Sequence, residues 1–183
     1  MRFCDCFRVA SIDILSRSGA AAKWFTPLLN KAMHRYEINT RPRIAAFIAQ
    51  VGYESGELRN LREVDSGLGD RGARGLSDRL GDPAAMAPVL PLYGGGRGLI
   101  QIAGLSHYRH CGAALGLDLV NHPQRLEQPD YAYLSAAWYW HRKDLNRLAD
   151  RGELDAITRR IKGHLDGQTQ RWALYQLALS VLK

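Results

Sequence analysis

The sequence predicts a mainly α-helical protein, and three observations carry that prediction. Ile44, Phe47, Ile48, Val51 and Ser55 recur at i, i+3, i+4, i+7 and i+11, the spacing of one inward helical face. A start signal, Thr40 followed by Pro42, and a stop signal, Gly56, bracket that run. Beyond Gly104, the segments 106–115, 131–141, 154–162 and 168–182 read as helices in succession.

Taken in order, residues 1–22 are ambiguous: 9–15 fits a short helix or a strand, and 16–19 reads as a break. Residues 24–34 form the first long helical pattern, with Trp24, Leu28 and Ala32 at helical spacing. The central run, 43–56, ends with a carboxylate. Glu54 follows Phe47 by two helical turns and lies at the edge of the apolar face. Desolvation there favours the neutral acid and raises its pKa, which suits a general acid working near neutral pH. The alternative is a helix-end Glu that bends into water or pairs with an arginine.

A second carboxylate, Glu63, follows nine residues later. On a continuous helix the two would stand about 13 Å apart along the axis, too far for joint chemistry. Gly56 falls where a helix cap is expected, so the chain is expected to turn and bring Glu63 across from Glu54. An inverting glycosidase uses such a pair, acid and base, with carboxyls roughly 6.5–9.5 Å apart.

Residues 65–96, rich in Gly, Pro, Asp and Arg with one short helix near 76–80, read as a long surface excursion that lines a cleft. The glycine-rich stretch 94–104 lacks the Lys-Ser/Thr of a phosphate loop and the spacing of a dinucleotide fingerprint. Its glycines let backbone come close to a ligand or to another segment. Trp138, Tyr139 and Trp140 read as core rather than as a sugar-stacking platform, because Tyr131, Leu134 and Trp138 share one helical face.

With 183 residues, 46% of them hydrophobic, the chain suits one domain, 1–183, in which 1–22 is the segment of uncertain structure. No apolar run reaches the length of a membrane span. Met1 to Ala10 shows no continuous apolar stretch, so a signal peptide is not expected and the chain is expected to start in a cytoplasm. Cys4, Cys6 and Cys111 have neither a disulfide framework nor zinc spacing and read as reduced thiols. The six histidines are scattered, so no metal and no cofactor are expected. A net charge of +7 favours an anionic partner. The basic residues are dispersed and do not interleave with aromatics, which argues against specific nucleic-acid binding.

Five motifs in order, Ala-Ala-Phe-Ile-Ala-Gln-Val-Gly-Tyr-Glu-Ser-Gly, Leu-Arg-Glu, Gly-Arg-Gly-Leu-Ile-Gln-Ile, Gly-Leu-Asp-Leu-Val-Asn-His-Pro and Ser-Ala-Ala-Trp-Tyr-Trp, make the chain from about Trp24 to Leu182 resemble the family-19 glycoside hydrolases. Within that family it looks like the phage endolysins and related bacterial lytic enzymes. The resemblance implies a lysozyme-like, two-lobed helical fold with a central substrate cleft, and inverting hydrolysis of β-1,4 bonds in peptidoglycan or chitin. It makes Glu54 the general acid and Glu63 the general base, and Gln101 a residue that hydrogen-bonds sugar. Arg171 becomes a cation near the catalytic centre, and Arg97 and Tyr108 join these as cleft-lining candidates. The chain departs from the family pattern at Ala103, where a Thr or Ser helps hold the attacking water, at Tyr53, often His, and at Lys162, where the family has Asn. The expectation is a monomeric, peptidoglycan-degrading enzyme of the endolysin kind, stored in the cytoplasm and released to the wall. The alternatives are a chitinase and a catalytically weakened wall-binding protein.

Overall fold

The computed structural model describes residues 19–62 and 95–182. The expectations for 9–15, 76–80, Cys4, Cys6 and Glu63 lie outside the described residues. The described elements are α1 (Gly19–Arg35), α2 (Arg41–Glu54), α3 (Leu105–Leu115), a 3-10 turn (Pro123–Glu127), α4 (Pro129–Arg142), α5 (Leu145–Asp150), α6 (Leu154–Lys162) and α7 (Gln168–Val181). The protein is mainly α-helical, as the sequence predicts. Extended pairing among the described residues is confined to isolated bridges from Arg97 to Arg62 and to Ile102. None of the described helices is long and apolar enough to cross a membrane.

α2 is the axis of the core. The Thr40 hydroxyl accepts the Arg43 amide at 3.4 Å, Pro42 occupies the first turn, and the helix runs to Glu54 between the expected signals. A single apolar face understates its position: every residue from Ile44 to Gly52 is buried. A helix buried on all sides needs neighbours on all sides. α7 packs along it, α5 crosses its start, and α1 and α3 close the core through α4. Phe47 meets Trp140 edge-on at 5.4 Å between ring centroids. The Trp140 indole donates to Asn146 Oδ1 at 2.8 Å, and Asn146 Nδ2 donates to the Tyr36 carbonyl at 3.2 Å. Trp138, Tyr139 and Trp140 are all buried, in agreement with the core reading. Buried Gln50 donates to Thr158 Oγ1 at 2.7 Å, tying α2 to α6.

The 3-10 turn and α5 are additions to the elements read from sequence. Both are too short for periodicity to register, and α5 follows Asp144 in a left-handed conformation, φ +52°. α4 begins at Pro129 rather than beyond it, because proline suits the first helical turn.

A bidentate ion pair anchors the start of α2. Arg43 Nε donates to Asp150 Oδ1 at 2.7 Å and Nη2 to Oδ2 at 2.5 Å. The hydrogen bond from Arg43 is the main cause holding the Asp150 carboxyl below its ordinary range. A depressed native pKa contributes stability that is complete above the unfolded value, near 4, and is lost as pH falls through the lower native one. Asp150 is more than a third exposed, so the contribution is screened. Asp150→Asn is expected to lower unfolding free energy by about 1 kcal/mol at pH 7, with the difference vanishing in strong acid. Urea titrations of both proteins across that range check it.

Candidate active site

The site is built where α2 stops. Ser55, buried, donates its hydroxyl to the Val51 carbonyl at 2.6 Å and accepts the Leu58 amide at 2.8 Å. Gly56, Glu57 and Leu58 then adopt positive φ in succession, +58°, +63° and +67°. Glycine at 56 takes the first of these left-handed positions without the steric cost that a Cβ would bring. Left-handed Glu57 and Leu58 are strained, and such strain collects at functional sites. The turn carries the chain to the glycine-rich stretch: the Leu61 carbonyl accepts the Gly98 amide at 2.8 Å, and Arg62 bridges Arg97. The expected break between Glu54 and Glu63 is therefore present, while Glu63 itself lies outside the described residues.

The Glu54 side chain is 5% exposed. One carboxylate oxygen accepts from Arg171 Nη2, and the other pairs with Lys162 Nζ at 2.9 Å. The desolvation read from sequence is real, but the isolation among apolar neighbours is not. The carboxylate lies between two cations from α6 and α7, more than a hundred residues away in sequence. The alternative left open by the sequence, pairing with an arginine, is the arrangement found.

Arg171 is buried at 1% exposure. Its guanidinium lies 3.9 Å from the centroid of the Tyr53 ring, and Nη1 donates to the Asp166 carbonyl at 2.6 Å. Tyr53 is 37% exposed and covers Gly167. A Cβ on Gly167 would fall 1.9 Å from the Tyr53 hydroxyl, and its φ is +75°. Tyr139 also faces Glu54: burial raises its pKa, the nearby carboxylate adds to the rise, and Arg142 opposes it. The His107 ring lies 6.0 Å from that of Tyr139, and its Nδ1 lies 2.9 Å from the Ala103 carbonyl. Ala103 is thus linked to the surroundings of Glu54 through His107 and Tyr139.

Gln101 stands at φ +55° in the tight turn between Arg97 and Ile102, with Nε2 donating to the Gly98 carbonyl at 2.8 Å. Its Oε1 is buried with no partner among the described residues. A Cβ on Gly96 would lie 2.7 Å from that oxygen.

Two candidates are corrected. Arg97 is buried, with Nε on Glu127 Oε1 at 2.8 Å and Nη1 donating to the Tyr108 hydroxyl at 3.0 Å. Tyr108 has no exposed surface at all. Both hold the glycine-rich stretch to α3 and the 3-10 turn instead of lining a cleft. Lys162, noted in the sequence only as a departure, is a direct partner of Glu54. Its position in the last turn of a helix ending in left-handed Gly163 was the available signal. Cys111 is buried, and burial pushes its thiol up to about 12, so it is no nucleophile.

No family model matches the chain. Among curated proteins, an Arabidopsis thaliana endochitinase, EP3, is 32% identical over 104 residues, 56% of this chain and 35% of that protein. A Haemophilus influenzae glycosyl hydrolase family 19 domain-containing protein is 37% identical over 82 residues, 44% of this chain and 38% of that protein. The chain thus spans little more than a third of the length of these relatives. Among solved structures, a bacterial family 19 chitinase superposes with a TM-score of 0.71 at 24% identity, covering 97% of this chain and 95% of the other. The fold is that of the family-19 chitinases. Chitinase C from Streptomyces griseus agrees, with a TM-score of 0.72 at 22% identity over 96% of this chain and 75% of its own. The resemblance to family 19 drawn from the motifs is borne out in sequence and in fold.

Two outcomes test the anchoring of Glu54. Arg171→Ala leaves a desolvated carboxylate with one partially exposed partner and is expected to cost about 3 kcal/mol of stability, read from denaturant midpoints. Gly167→Ala forces a left-handed alanine into the Tyr53 ring and is expected to cost at least about 1–2 kcal/mol and to raise near-ultraviolet tyrosine mobility.

Proposed function

We propose that the chain is a glycoside hydrolase that cleaves β-1,4 bonds of peptidoglycan with inversion. Glu54 delivers its proton to the leaving glycosidic oxygen, and Glu63 takes a proton from the water that attacks the anomeric carbon on the opposite face. One product gains the hydroxyl of water and the other gains the proton of Glu54; exchange with solvent resets both carboxyls. The observation that carries this reading is Glu54 itself, a nearly buried carboxylate at the end of the central helix of a family-19 fold, fixed by Arg171. Fixing the donor within reach of the scissile bond supplies the orientation that proton transfer requires. The positive charge of the chain suits the anionic wall over a neutral glycan. In this reading the enzyme reaches the wall after release from the cell that makes it.

A second reading, a chitinase, is favoured by the names of the relatives and of the solved structures. A third, a wall-binding protein with weakened chemistry, is favoured by Ala103, whose methyl group cannot hold a water. Losing one positioning hydrogen bond costs on the order of 10²–10³ in rate, by analogy with an oxyanion donor.

The test is turbidity loss of outer-membrane-permeabilised Gram-negative cells, run beside release of reducing ends from chitin oligomers. Lysis by the unaltered protein is expected to fall by about 10²-fold or more in Glu54→Gln. Ala103→Thr is expected to raise it. Turnover of chitin oligomers without lysis would transfer the reading to chitinase. Absence of turnover in all three proteins would sink both hydrolase readings.

A further inference from the structure

Lys162 is the exposed member of the Glu54 cluster: a third of its side chain meets solvent, against 5% for Glu54 and 1% for Arg171. Two further cations, at the end of α4, are grouped with the cluster through Tyr139, whose ionisation Glu54 and Arg142 both influence. Lys143 Nζ lies 5.5 Å from the centroid of the Tyr139 ring. The Arg142 guanidinium lies 5.6 Å from the Trp138 ring. Arg160 of α6 donates to the Lys143 carbonyl at 3.2 Å, fixing that backbone against the helix that carries Lys162.

Among the described residues, no ion pair involves Arg142, Lys143 or Arg160. The neighbouring carboxylates are engaged elsewhere: Asp144 with Arg147 at 3.3 Å, Glu153 with Arg151 at 2.7 Å, and Asp155 as acceptor from Gln168 and Trp172 at 2.7 and 2.8 Å. Cations resting on aromatic faces are oriented and partly stripped of water, which makes them ready for an anion. An unsubstituted glycan such as chitin brings none. A peptidoglycan strand brings carboxylates on the peptides attached to alternate sugars.

We propose that Lys162, Lys143 and Arg142 form a subsite for a carboxylate-bearing substituent of the glycan, and that arrival of this substituent draws Lys162 off Glu54. The inference rests on the peptidoglycan reading above and gives it a physical basis. With the ammonium transferred to substrate, the second Glu54 oxygen is free to carry the proton that the leaving oxygen takes. The exchange moves one cation from a carboxylate of the protein to a carboxylate of the substrate, so no net charge is buried by it.

The test is co-sedimentation with purified Gram-negative sacculi, native and carboxyl-amidated, which reads binding without turnover. At about twofold for each exposed pair, amidation is expected to weaken retention of the unaltered protein roughly eightfold. It is expected to have no effect on Arg142→Gln/Lys143→Gln/Lys162→Met. Equal retention of the unaltered protein on both materials would overturn the subsite. So would a variant that remains as sensitive to amidation, since the charges responsible would then lie elsewhere. A kinetic arm tests the displacement: Lys162→Met is expected to raise kcat on neutral chitin oligomers while raising KM on peptidoglycan. Parallel loss on both substrates would sink it. Protein that is retained through carboxylates yet cleaves neither glycan keeps the subsite and ends the hydrolase reading, whereas cleavage of peptidoglycan with equal retention does the reverse.

Discussion

Burying the Glu54–Arg171 pair is the constraint around which the rest of the site is arranged. Removing two charges from water costs several kcal/mol per ion, and their attraction offsets it only where the remaining donors and acceptors are also placed. The surroundings of Arg171 answer most of that requirement, leaving its buried Nε without a hydrogen-bond partner among the described residues. The Asp166 carbonyl takes one guanidinium nitrogen, the Tyr53 ring covers the face, and Gly167 admits the ring. Gly167 also stands immediately before α7, and its carbonyl accepts the Arg171 amide at 3.2 Å. The residue that makes room for Tyr53 thereby sets the start of the helix that delivers the arginine. Because α2 is enclosed on every side, its end cannot slide to relieve a poor fit, so the carboxylate inherits its position from the core.

The chain has a second buried arginine with the opposite role. Arg97 is spent on holding backbone: Glu127 and Tyr108 receive its guanidinium while its own amide and carbonyl pair with Ile102. That frame presents Gln101 in a left-handed turn and receives Leu61 on its way from α2. Two arginines of similar burial therefore divide the work, one orienting a carboxylate and one orienting the segment beside it. A buried charge alone does not separate these roles. What separates them is the rest of each partner's environment: Glu127 is itself partly exposed, whereas Glu54 is nearly buried and shared with a second cation, Lys162.

This contrast also explains what was legible in the sequence. Periodicity and capping chemistry are local, so α2, α3, α4, α6 and α7 were readable to within a few residues, as was the turn at Gly56. The same locality located Glu54 at a helix end beside an inward Ser55. It could not supply the environment of Glu54, because Arg171 and Lys162 arrive through packing of distant helices. Arg97 and Tyr108 were misread for a related reason: polar groups near a glycine-rich turn resemble a cleft lining until the inward face of α3 is known. α5 escaped notice because six residues do not complete a periodic pattern.

The two departures at 103 and 162 act on different parts of the proposed reaction, and their geometry shows that they are not equivalent. Lys162 adds a cation to the acid, an interaction that a substrate can compete for. Ala103 removes a hydroxyl, and no substrate replaces a water-holding group on the enzyme side. Yet the Ala103 carbonyl remains held by His107, whose ring rests near Tyr139 beside Glu54. The backbone there is anchored to the same cluster as the acid. In the proposed reaction, then, Ala103 stands for one missing oxygen atom on a backbone that His107 already holds, a different matter from the placement of Glu54.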